Sequence, residues 1–75
     1  MDVNKLKEIT ESQLKFLRKQ HEITCTVLDT INYFIDQGKA EQSSTENLEE
    51  IIETLNLILG DIEKQIYFFM ELEKY

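Results

Sequence analysis

Between Leu48 and Leu72 the apolar side chains stand at Leu48, Ile51, Ile52, Leu55, Ile58, Leu59, Ile62, Ile66, Phe69 and Leu72. Steps of three and four, with single steps between them, trace one face of an α-helix, whereas a strand would alternate. So long a stripe has to be covered, and the rest of the chain is constrained to help cover it. Little interrupts the pattern, because proline is absent and glycine occurs only at positions 38 and 60. Long helices with a single break near Gly38 are therefore expected.

Local signals place the helix ends. Asp2 or Asn4 can cap the first helix by accepting a free backbone N–H. Gly38 suits the position after a helix, since it reaches the left-handed conformation without a Cβ penalty. Ser43 and Glu46 have the spacing of a capping box, and Ser44 or Thr45 could cap instead. Glu46, Glu49 and Glu50 would then lie in the first turns of helix two, where the dipole favours negative charge. These signals predict one domain over 1–75, with helix one over about 3–37, a loop over about 38–44 and helix two over about 45–74. Each helix would be on the order of 45–50 Å long. So short a loop makes the helices antiparallel neighbours.

Helix one has more apolar surface than one neighbour can hide. One heptad seam reads Leu6, Ile9, Gln13, Phe16, Gln20, Ile23, Val27, Thr30 and Phe34. A second, beside it, reads Leu14, Leu17, His21, Thr24, Leu28, Ile31 and Ile35. Together they span about four of seven heptad positions, wider than a two-stranded coiled coil uses. Glu8, Lys15, Glu22, Asp29 and Asp36 mark the opposite, solvated side. Helix two widens near its end, where Tyr67, Phe68, Met70 and Tyr75 fall outside the main stripe and suggest burial against another chain. The expected fold class is all-α: an antiparallel two-helix hairpin dimerising into a four-helix bundle. Leu14, Leu17, Leu28, Ile31, Phe68, Phe69 and Leu72 are the expected self-association residues. A larger or mixed helical assembly is the structural alternative.

Composition narrows the partners. Fifteen acidic residues outnumber eight basic ones, for a net charge of −7. Unaided binding to nucleic acid or to an anionic membrane needs a basic surface, so neither is expected. Residues 1–21 carry five basic and three acidic groups, and residues 44–75 carry eight acidic and two basic, which modestly favours the antiparallel pairing. Lys5, Lys7, Lys15, Arg18 and Lys19 are interleaved with Glu8, Glu11 and Glu22; pairs such as Glu11–Lys15 read as ordinary helix solvation. Cys25 is the only cysteine, so no internal disulfide can form. The lone thiol and the absence of an apolar leader in the first residues give a cytoplasmic expectation. No apolar run reaches the roughly 18 residues of a membrane span.

Chemistry-bearing patterns are sparse. His21, Glu22 and Cys25 could form half a metal site, but zinc takes three or four ligands, so packing is the better reading and no metal is expected. A phosphotransfer role for His21 lacks cationic and small-residue surroundings. A di-iron bundle would need Glu-x-x-His, and position 18 is Arg. No phosphate loop, nucleophile elbow or acid–base pair occurs, so neither an enzyme nor a cofactor is expected. Gly60 lies mid-helix and would mark a close approach, a kink or nothing. Gln13, Gln20, His21, Thr24 and Thr30 interrupt the apolar seams; the preferred reading is polar layers that fix register, with polar anchors for a partner helix as the alternative.

The function expected is a small acidic, non-enzymatic interaction module: a regulator, adaptor or inhibitor that pairs with itself and binds another protein. One alternative is an acidic mimic of nucleic acid, using Asp29, Asp36, Glu46, Glu49, Glu50 and Glu53 near the loop. Another is a subunit or chaperone of a mixed helical assembly.

Overall fold

The computed structural model describes residues 2–38 and 42–74, with the backbone alone for 42–45. Two helices, α1 (Val3–Asp36) and α2 (Gln42–Glu73), pack against each other, and no strand occurs among the described residues. Asp2 is the N-cap: its backbone is extended, and its carboxylate accepts the Asn4 N–H at 3.0 Å. At the other end Gly38 takes a φ of +65°, with its N–H donating to the Ile35 carbonyl. Only glycine reaches that conformation without a Cβ clash, so Gly38 ends α1 where the sequence places the break.

α2 begins earlier than expected. Ser43, Ser44 and Thr45 lie inside the helix, which starts at Gln42, instead of standing ahead of it as caps. Serine and threonine cost a helix interior only about 0.5 kcal/mol against alanine, and no glycine or proline stands there to stop an extra turn. Residues 39–41 of the expected loop, the side-chain contacts of the Ser43 capping box and the expected packing of Tyr75 lie outside the described residues.

The pair is long and thin, 55 × 15 × 14 Å, with a radius of gyration of 17.0 Å. A globular chain of this length would have a radius near 11 Å. Its core is one seam wide. Among the described residues, Leu14, Leu17 and Leu28 of α1 and Ile62 of α2 are the buried apolar side chains, with Thr10 and Thr24 buried among them. Both threonines donate to the carbonyl one turn back, Leu6 O and Gln20 O, each at 2.8 Å. A hydroxyl satisfied within its own helix can be buried without a partner across the seam.

The division of labour between the two seams of α1 is the reverse of the expected one. Leu14, Leu17 and Leu28, expected to meet another chain, are buried against α2 of the same chain, and Ile31 is half-buried. The other seam looks outward, with Phe16 57% exposed. The side chains account for the exchange. The buried seam includes Thr10 and Thr24, small side chains that suit close helix packing, whereas the outward seam carries two phenylalanines.

Candidate functional site

One cross-helix polar contact sets the level of one helix against the other: His21 Nε2 lies 3.2 Å from Glu63 Oε1. A carboxylate only accepts, so Nε2 carries the donated proton. Nδ1 of the same ring lies 3.8 Å from Cys25 Sγ. On this side of the hairpin Arg18, His21, Glu63, Ile66, Tyr67 and Met70 line a shallow groove. Among the described residues no three of His, Cys, Asp and Glu gather as a metal-binding group.

The groove fixes which flanks of the two helices share a side. At 100° per residue, Arg18 and His21 lie to one side of the α1 seam, and Ile9, Phe16, Ile23, Val27 and Phe34 lie to the other. On α2, Glu63, Tyr67 and Met70 lie to one side of the seam, and Ile51, Ile58 and Phe68 to the other. The first set on each helix meets in the groove. The second sets therefore lie together on the opposite side of the hairpin. All eight of those apolar residues are exposed, from Val27 at 41% to Phe68 at 59%. On α1 this stripe carries no charge from Leu6 to Phe34; its only polar members are Gln13, Gln20 and Thr30. An apolar face running most of the length of a 55 Å molecule, interrupted by a single charge at Asp61 of α2, is far beyond the scattered exposure normal for a solvated surface.

The expected self-association residues are thus divided. Leu14, Leu17 and Leu28 are covered within the chain, Ile31, Phe69 and Leu72 are half-buried, and Phe68 is exposed on the apolar face. Phe68 and Phe69 meet edge to face, with ring centroids 5.2 Å apart. Sequence reasoning found both seams, and the structure buries within the chain the one expected to meet a second copy. The signal that separates them is residue size: small side chains for the close seam, phenylalanine for the outward one.

The acidic set, Asp29, Asp36, Glu46, Glu49, Glu50 and Glu53, is exposed toward the Gly38 end. Helical spacing puts Glu50 on the outermost line of α2, in line with Leu57, Glu46 and Glu53 beside it toward the groove side, Glu49 on the groove flank in line with Tyr67, and the two aspartates on the groove side of α1. Of the other polar interruptions, Thr24 and Thr30 donate to their own helix. The exposed ion pairs are Lys19–Glu22 at 4.0 Å and Glu71–Lys74 at 2.9 Å; among the described residues Glu11 and Lys15 form none. A Cβ at Gly60 would meet nothing within 4 Å, so no neighbour approaches there. No helix among the described residues is long and apolar enough to cross a membrane. No protein family, characterised protein or solved structure matches the chain.

Proposed function

We propose that this chain is a non-enzymatic protein–protein interaction module, a regulator, adaptor or inhibitor, whose outward apolar face pairs with a second copy to close a four-helix bundle. The observation that carries the reading is that face: eight exposed apolar residues on one side of the hairpin. Area supports it. The chain exposes 6118 Å². A compact monomer of its mass would expose about 4,800 Å². The excess of about 1,300 Å² exceeds the roughly 800 Å² per partner of a standard stable interface. The four buried apolar side chains among the described residues also make a small core for a chain whose single cysteine allows no internal disulfide.

Sedimentation equilibrium at micromolar concentration tests the reading. A helical species of twice 8.9 kDa is expected. A folded single chain would overturn self-pairing, and a poorly helical, aggregating chain would point to a subunit of a mixed assembly. The acidic-mimic reading draws on a separate observation, the six exposed carboxylates near one end. Its mark is partner binding that falls steeply between low and moderate salt; binding through apolar contacts tolerates salt.

A further inference from the structure

The apolar face is built in layers, and their order says how the second copy sits. The inference rests on the self-pairing reading above and adds its geometry. Counting outward along the antiparallel helices from the His21–Glu63 contact, residues of the two stripes fall level within one residue, about 1.5 Å. Phe16 is level with Phe68, and Val27 with Ile58. Phe34 is level with Ile51. Of the polar residues, Gln20 is level with Gln65 and Thr30 with Thr54, whereas Asp61 of α2 is level with Ile23 and Gln13 of α1 with Leu72. The buried seam gives the same register, since Leu17, Leu28 and Ile31 stand level, within one residue, with Ile66, Leu55 and Ile52.

We infer that the second copy lies parallel to the first, both Gly38 ends together and in register, so that each layer packs against its own counterpart. Such a copy is related by a two-fold axis along the bundle, and α1 of each copy then lies beside α2 of the other. The threonine layer can be enclosed at little cost, because Thr30 and Thr54 already donate to Thr26 O and Glu50 O at 2.8 and 3.0 Å. The glutamine layer is the demanding one. A carboxamide buried without a partner is penalised, yet it carries both donor and acceptor and so complements another carboxamide. A parallel copy supplies Gln20 and Gln65 at that same level by symmetry. A partner of unrelated sequence would have to supply them by coincidence.

The antiparallel arrangement fits less well. Centred midway between the polar layers, it would still match Phe34 with Phe16 and Val27 with Ile23. It would also set each carboxamide against a threonine whose proton is already donated, and it would run Ile9 past the end of the facing helix.

Spin labels at Glu8→Cys and Gln37→Cys, placed separately in a Cys25→Ala chain, distinguish the arrangements by dipolar distance. A parallel copy gives two similar distances, both below about 35 Å for helices packed 8–10 Å apart. An antiparallel copy separates the labels along the axis by about 50 Å at position 8 and about 36 Å at position 37. That pattern, or a doubled mass with no measurable coupling, would overturn the orientation. A single-chain mass with no coupling would instead overturn the self-pairing reading beneath it. The unmodified chain gives a second measurement that does not depend on replacing Cys25. In a mixture of isotopically light and heavy chains, an amine cross-linker should join Lys19 of one copy to Lys64 of the other, because only the parallel copy brings those two outer edges level.

Discussion

The two apolar faces of α1 lie about 100° apart around one helix, yet one is buried and the other is not. The buried seam combines leucines with Thr10 and Thr24; the outward stripe combines Ile9, Ile23 and Val27 with Phe16 and Phe34, punctuated by glutamine. Leu14 is 1% exposed on the first and Phe16 57% exposed on the second. Hydrophobicity alone does not separate them. Side-chain size and the way polar groups are satisfied do. Threonines that donate to their own helix allow a dry, close seam within one chain, whereas glutamines need donors and acceptors from elsewhere. The inner seam closes the hairpin, and the outer stripe remains exposed on it.

Substitutions break that comparison unequally, and the inner seam should show the largest effect. Leu14→Asp or Leu28→Asp puts a charge where no water or counter-ion reaches, at a cost of several kcal/mol. A core of four buried apolar side chains cannot absorb that. Circular dichroism should show loss of helix at 25 °C. Phe16→Glu alters the outer stripe only. Its expected result is a folded, helical single chain by sedimentation, with pairing weakened about a thousandfold. Truncating a central aromatic costs about 2 kcal/mol, and a two-fold interface counts it twice. Retained pairing in Phe16→Glu would remove the outer stripe from the interface.

How far the sequence could be read follows from the same physics. Two helices with a break at Gly38 were legible because periodicity of 3.6 and a glycine requirement are local properties. So was the excess of apolar arc on α1, which needs only a count around the wheel. Which arc faces α2 was not legible from hydrophobicity, since both seams score alike. The distinguishing residues are Thr10 and Thr24, small enough to suit a buried seam between two helices. The start of α2 was misplaced because Ser43 and Glu46 satisfy a capping pattern that an extra helical turn can override at little cost. That Gln20 stands level with Gln65 is not legible locally; it follows from the packing of the two helices, which the His21–Glu63 contact between residues forty-two apart marks.

Gly60→Ala should have a smaller effect, of opposite sign. Gly60 lies within α2, and an added Cβ would meet nothing within 4 Å. Alanine therefore gains its helix preference of about 1 kcal/mol with no steric cost. The melting temperature should rise by about 4–8 °C. A fall would mean that the bundle brings another surface against Gly60, and would place a contact on the outer side of α2 instead of on the apolar stripe.

The smallest effect on the fold belongs to Glu50→Lys, which is also the substitution that best separates pairing from mimicry. Glu50 is exposed, stands beyond the first turns of α2, and contributes only its backbone carbonyl to the bond from Thr54. Neither the helix dipole nor a buried contact depends on its carboxylate, so stability should change by less than about 0.5 kcal/mol. Reversing the charge changes the formal net charge from −7 to −5 and lessens repulsion between two acidic ends brought together in a parallel pair. Pairing should tighten slightly at low salt and be indistinguishable from the parent near 0.15 M, where the screening length is about 8 Å. A chain that instead presents its carboxylates to a nucleic-acid-binding partner would lose affinity for that partner on this substitution while keeping its mass and melting temperature. The acidic end and the apolar stripe are thus separable by one charge that the fold does not use.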